Sequence, residues 1–325
     1  MMKKLSIIAI ILASVAIAGE AFIFATRNEE SEAVHQRAIR ADYRIYAPSI
    51  PDTLYFAGER VPLNLYYVRE GLDRELVSNM YYQSNTLFNI KRAVRVFPTI
   101  ERILREQGVP EDFKYLCVIE SGLQCVTSPA GAQGYWQFMK ATGQKYGLEV
   151  GDDIDMRNNL EASTLAACKY LKDLKRRFGG WTEAAAAYNC GEGGLNKRLV
   201  GQKQDSYYEL LLNQETQRYV YRILALKLIM QHPQDYGFYV RRCDTYPEIP
   251  TTEVELSGQD VDLVDFAISN GTSYKVLRTL NPWLTSSTLK NKADKTYKVK
   301  IPIKKGTEYN TIVKGKHDTT VIDKI

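Results

Sequence analysis

Histidine is nearly absent from these 325 residues: His35, His232 and His317 stand singly and far apart. With no pair at ligand spacing, the chain offers no zinc motif and no histidine system to activate a nucleophile. Cysteine is sparse as well. Cys117, Cys125, Cys168, Cys190 and Cys243 form no CxxC pair, and their odd number leaves at least one thiol unpaired. Cys117 and Cys168 sit among apolar residues at helical spacing, which reads as two buried core thiols. Basic blocks are missing too. The formal charge of +5 comes from interspersed Lys and Arg, so the chain lacks the arms that hold nucleic acid. There are no tandem repeats and no low-complexity tract. Hydrophobic residues at 45% and charged residues at 25% are globular proportions, enough for one large domain and one small one.

One long hydrophobic run does occur. Lys3 and Lys4 precede an uninterrupted apolar stretch from Leu5 to Gly19, and Ala16-Ile17-Ala18 fits a small-residue cleavage site. Apolar character resumes from Ala21 to Ala25, which brings the segment to the ~20 residues a spanning helix needs. Residues 1–25 therefore read as an export signal or as a retained membrane anchor, and either places the remainder in the periplasm or cell envelope. No cysteine lies near the segment, which argues against a lipid anchor. Residues 26–72 read as a charged spacer followed by an extended stretch rich in Pro and Tyr.

Helical periodicity dominates from about Asp73 to Gln231. Pro98 is expected to divide Arg92–Gln107 and start a fresh helix, which Gly108 ends; Pro110-Glu111-Asp112 then opens the next. In Leu160–Phe178, Leu165, Cys168, Leu171, Leu174 and Phe178 share one face. Thr182 is a natural N-cap for TEAAAAYN, which Gly191 closes. After Pro247 and Pro250 the texture changes to short alternating segments, which predicts a separable unit from about 250 and a tail over 304–325.

The chemistry centres on Glu120. It ends an apolar helix, YLCVIE, and a Ser-Pro-Ala-Gly-Ala-Gln-Gly loop follows directly. Partial burial raises a carboxyl pKa, as a general acid working near neutrality requires. Gly131 and Gly134 would let the backbone approach a flat ligand. Gln137 and Asn189 supply amides suited to sugar hydroxyls, with Tyr135, Trp136, Met139 and Tyr188 as apolar walls. The plainer reading is a solvated helix-end carboxylate beside core aromatics.

Four segments decide between them. Glu120-Ser121, then Gly131-Ala132-Gln133-Gly134-Tyr135-Trp136-Gln137-Phe138-Met139, then Ala187-Tyr188-Asn189-Cys190-Gly191, then Glu215-Thr216-Gln217-Arg218-Tyr219-Val220 occur in that order. In order and spacing they resemble the four motifs of the family 1 lytic transglycosylases. Lys140 stands where proline is common, and Cys190 where alanine is usual. The resemblance implies a mainly α, lysozyme-like catalytic domain over 73–247. It further implies cleavage of the β-1,4 bond between N-acetylmuramic acid and N-acetylglucosamine in peptidoglycan glycan strands, with closure of a 1,6-anhydro ring. Glu120 would be the catalytic acid and then base. Ser121, Ser128, Gly131, Gln137, Met139, Tyr188, Asn189, Glu215 and Tyr219 would bind the sugar or hold the acid. No metal or organic cofactor is implied. A goose-type-lysozyme-like hydrolase and a silent glycan-binding scaffold are the rival readings.

Residues 250–303 resemble a LysM peptidoglycan-binding module of βααβ order, a small α+β domain, with Asn281-Pro282 and Ile301-Pro302 as landmarks and a degenerate opening. GEGGLN (Gly191–Asn196) follows a helix and lacks a full dinucleotide fingerprint. Asp152, Asp153 and Asp155 lack EF-hand spacing and read as a solvated turn.

Overall fold

The computed structural model describes residue 37, residues 45–313 and residues 320–325. Everything below belongs to one compact unit, 48–317 with 321–325; the other, 1–47 with 318–320, lies almost wholly outside the described residues. The expected signal or anchor over 1–25 lies outside them altogether. Among the described residues no helix is long and apolar enough to cross a membrane.

A two-residue hairpin, β1 (Tyr55–Phe56) and β2 (Glu59–Arg60), precedes α1 (Tyr66–Tyr81). The helical body thus starts seven residues before the expected Asp73. Val68, Leu72 and Leu76, four apart, form the buried stripe of α1. Pro98 does not divide the next helix, because α2 runs unbroken over Gln83–Glu106. An internal proline costs ~3 kcal/mol, whereas each fully buried Ile, Leu or Phe contributes ~1.5–3 kcal/mol. Ala93, Val96, Phe97, Ile100, Ile103 and Leu104 are all buried on both sides of the proline, so the burial outweighs the lost hydrogen bond.

Five further helices follow: α3 (Phe113–Ser121), α4 (Lys140–Lys145), α5 (Leu160–Phe178), α6 (Trp181–Cys190) and α7 (Glu192–Gln202). An eighth, α8 (Gln214–Gln231), packs against α1, α3 and α6, with Val220, Ile223, Leu224, Ala225 and Ile229 fully buried. GEGGLN falls at the start of α7. The inward face of α5 differs from expectation: Leu165 is exposed, while Ser163, Thr164, Ala166 and Ala167 are buried beside Cys168, Leu171 and Leu174. Small residues there let α2 and α6 approach closely. Thr182 is not the cap of α6 either. Glu59, from β2, receives the N–H groups of Trp181 (2.6 Å) and Thr182 (2.9 Å), and the Thr182 hydroxyl (2.8 Å). Burial pushes the Glu59 carboxyl up, but these hydrogen bonds outweigh it and hold the pKa below the ordinary value.

The C-terminal module has the expected βααβ order. β3 (Thr251–Leu256) pairs antiparallel with β6 (Tyr297–Pro302), and α9 (Leu263–Ser269) and α10 (Tyr274–Leu280) lie between them in sequence. A short pair, β4 (Val261–Asp262) with β5 (Thr288–Leu289), is added. Asp262 and Ser273 cap the two helices through their side chains. The Asn281 landmark has a physical role. Its buried amide donates to Leu277 O and Lys300 O and accepts from Lys300 N, tying the end of α10 to β6.

The module, expected to be separable, is packed against the helical body. Ile154 is buried in the module's core with Leu256, Leu277, Trp283, Leu284 and Val299. Around it, Lys295 pairs with Glu149 (3.1 Å), Lys300 with Glu161, and the Tyr297 hydroxyl donates to Glu149 (3.2 Å). The composition break at Pro247 marks a change of local structure but not of contact. The expected tail is also partly built in. After α11 (Tyr309–Ile312), Ile322 is buried in the main core, with Ile322 N donating to Val240 O and Ile325 N to Met230 O.

Candidate active site

The last turn of α3 places the site. Phe113, Tyr115, Leu116, Cys117 and Val118 are buried, and Gly122, at φ 59°, stops the helix in the left-handed conformation. Glu120 therefore stands at the rim of the core, half-buried. Its carboxyl accepts a hydrogen bond from the Tyr219 hydroxyl, carried in by α8. One turn further along α8, Arg222 donates to Ile119 O at 3.2 Å. Burial pushes the Glu120 pKa up to about 7. The Tyr219 hydrogen bond and the Arg222 charge oppose that shift, and the Glu215 carboxylate adds to it. Burial and the Glu120 charge push the Tyr219 hydroxyl well up, so it stays a donor.

The loop after α3 is clipped to this helix end at two carbonyls. Ser121 Oγ donates to Tyr135 O at 2.7 Å, and the Tyr188 hydroxyl donates to Trp136 O at 2.7 Å. Behind the clip, Tyr188 packs against Tyr170 and Phe138. Ser128 Oγ accepts from Ala132 N, closing the turn at Gly131, which is itself exposed. Gln137 sits at φ 49°, a left-handed conformation unusual for a side-chain-bearing residue. Its amide nitrogen donates to Val126 O (2.9 Å) and Gly134 O (2.8 Å), so what it can offer a ligand is the acceptor oxygen. Met139 is 47% exposed. On the α6 side, Asn189 donates to Glu215 (3.1 Å) and accepts from the Thr216 hydroxyl (2.8 Å).

The structure thus brings Glu120, Tyr219, Arg222 and Glu215 into one electrostatic group, with Asn189 tied to Glu215. Ser121 and Tyr188 point their hydroxyls at the loop, and Ser128 at its turn. An open groove of about 510 Å³ between α1 and α8 runs past Glu215 and Arg222, and Ser78, Asn79, Tyr82 and Asn85 also line it. Arg222 escapes the sequence reading, which gives Thr216 a place in a motif but no role of its own. Both lie within or just beyond the Glu215–Val220 motif at helical spacing from Tyr219, which is the signal that could have found them. Among the described residues no group of three His, Cys, Asp or Glu side chains is placed to hold a metal. Asp155, expected in a solvated turn, is buried against Arg157.

Gly134 has a different task from the expected one. It is buried at φ 82°, and a Cβ there would lie 1.9 Å from Arg157 O. Its bare Cα admits the protein's own backbone. Gly131 has open space around the same position. Gly134→Ala combines a left-handed Ala, ~1–2 kcal/mol, with overpacking, ~1–3 kcal/mol. The expected result is a clear fall in thermal midpoint, measured by calorimetry. A wild-type midpoint would show that Arg157 can retreat without cost.

Comparison with known proteins fits this geometry. Residues 98–211 match the family Transglycosylase SLT domain, and residues 252–305 match the Soluble lytic transglycosylase C-terminal LysM-like domain. The chain carries a transglycosylase SLT domain. The segment matched holds Glu120, the clipped loop and Asn189; Glu215 and Tyr219 lie beyond it on α8. Membrane-bound lytic murein transglycosylase D of Escherichia coli strain K12 is 32% identical over 228 residues, 68% of this chain and 49% of that protein. The protein of the same name from Escherichia coli O6:H1 matches equally. A putative tributyltin chloride resistance protein of Alteromonas sp. strain M-1 is 30% identical over 107 residues, 31% of this chain and 52% of that one. The chain spans about half the length of these relatives. The fold is accordingly an SLT lysozyme-like helical domain with a small strand-containing LysM-like domain.

Proposed function

We propose that the protein is a peptidoglycan lytic transglycosylase that cuts the β-1,4 bond between N-acetylmuramic acid and N-acetylglucosamine. The observation that carries this is a half-buried carboxyl, Glu120, under a tyrosine donor and with its pKa pushed by burial up to about 7, within the residues that match an SLT domain. Protonated Glu120 gives its proton to the glycosidic oxygen as the C1–O bond breaks. The resulting carboxylate takes the proton of the muramoyl C6 hydroxyl, whose oxygen bonds to C1 and closes the 1,6-anhydro ring. No water is consumed, and Glu120 ends protonated as it began. The internal hydroxyl has a high effective concentration, which replaces the second carboxylate an ordinary glycosidase uses.

In this reading residues 1–25 bring the chain to the envelope as a signal or an anchor, residues 73–247 hold the chemistry, and 250–303 are the LysM-like module. Gln137, Met139 and Asn189 face the glycan; Tyr219 and Glu215 set the acid; Ser121, Ser128, Gly131 and Tyr188 shape the loop. The rival is a goose-type-lysozyme-like hydrolase that shares the fold and the acid. Digestion of purified sacculi separates the two. The lyase leaves anhydro-muropeptides one water lighter than the reducing ends of a hydrolase, and mass analysis showing only reducing ends would overturn the proposal.

A further inference from the structure

We propose that the LysM-like module is a positioning element of the active site, acting through Asp155 and Arg157 on the loop 131–139. This rests on Glu120 being the site's acid, and one of the two readouts below is independent of that.

The segment between α4 and α5 has two faces. One belongs to the module. Ile154, 5% exposed, enters the module's core and pairs as an isolated β-bridge with Leu284. Asp155 N donates to Trp283 O at 2.8 Å, and Thr285 N and Oγ1 donate to Asp153 O (2.9 Å) and Asp152 O (2.7 Å). The other face holds the loop. Asp155 Oδ1 and Oδ2 accept from Arg157 Nε (2.9 Å) and Nη2 (2.6 Å), both side chains being buried. Arg157 Nη1 then donates to Gly131 O (3.2 Å) and Phe138 O (3.1 Å), near the two ends of the loop. Arg157 O is the atom that fills the space beside Gly134.

Asp155 is the joint. Its N–H is satisfied by the module and its carboxylate fixes Arg157, so the backbone cannot move for one without moving the other. A two-pronged guanidinium–carboxylate pair tolerates little displacement, and buried pairs depend on that geometry. Releasing the module would expose Ile154, leave Asp155 N without its partner and free the segment to shift. Arg157 would carry that shift to the loop whose Tyr135 and Trp136 carbonyls are clipped beside Glu120. The contacts predict that the module supports turnover even on fragments too short to reach it.

The test uses the full chain carrying Ile154→Asp, which puts a charge into the module's core and touches no residue of the acid's own shell. Amide exchange is read by mass spectrometry at 281–285, at 131–139 and in α8. Undocking should accelerate exchange at 281–285 and also at Gln133, Gly134 and Phe138, by about tenfold or more, with α8 unchanged. On a soluble glycan fragment, kcat should fall on the order of tenfold to a hundredfold, with KM moving far less. Faster exchange at 281–285 with an unchanged loop, or an unchanged kcat, would overturn the proposal. If Ile154→Asp does not fold, Ile154→Ala and Thr285→Ala weaken the dock in steps, and loop exchange must rise with module exchange. A wild-type protein that hydrolyses, or does not cut at all, defeats the reading of the reaction and leaves the exchange result standing.

Discussion

Glu120→Gln is expected to abolish release of soluble muropeptides from sacculi while leaving the helical fold intact. The amide matches the carboxyl in shape and still accepts from Tyr219, but it has no proton to give the leaving oxygen and no base to receive one back. Loss of such proton transfer costs on the order of 10²- to 10⁴-fold, and here one group serves both steps, so the upper end applies. Wild-type release by the purified variant would remove Glu120 from the mechanism. The same pair of proteins reports the pKa. Burial holds the Glu120 proton up to about pH 7, above the ordinary 4.5, so wild-type activity should fall as pH rises through 7. The stability sign follows from the same shift. A raised carboxyl stabilises the folded state fully below pH 4.5, and that contribution is lost as pH rises through 7. The stability of wild type relative to Glu120→Gln should therefore decline across that window, as read by urea titration.

Arg157→Ala should be the most destabilising single change near the site. Arg157 and Asp155 are 6% and 5% exposed, so truncating the arginine strands a buried carboxylate. Breaking such a pair from one side typically costs ~3–5 kcal/mol. The carbonyls of Gly131 and Phe138 lose a donor in the same step. For a body of this size, a thermal midpoint lowered by about 10 °C is the expected reading. Adding Asp155→Ala to Arg157→Ala should recover part of that loss, because no charge is then left without a partner. A wild-type midpoint for Arg157→Ala would mean that water reaches the pair.

The local devices of this chain follow short-range rules. The apolar stripes of α1 and α8, the stop at Gly122 after Glu120 and the cap at Asp262 are all set by residues within a turn or two. For that reason the helical body and the Glu120 carboxyl at a helix end could be read from the sequence, while the four motifs and the Asn281 landmark came from family resemblance.

What the sequence could not show are contacts between residues far apart in the chain. Glu59 caps a helix more than a hundred residues away, and no pattern beside Thr182 announces it. Pro98 stays inside α2 because distant side chains bury both of its flanks. Gly134 looks like a cleft glycine until Arg157 O is seen filling its missing Cβ position. Asp152, Asp153 and Asp155 read as a solvated turn, yet Asp155 and its neighbour Ile154 join the C-terminal module to the loop beside Glu120. In sequence, then, this protein determined its helices and a carboxyl at a helix end, since periodicity and the motif are local. Only the tertiary structure decided what buries Glu120 and raises its pKa, and what holds the loop beside it, because desolvation and buried ion pairs depend on which segments meet in space.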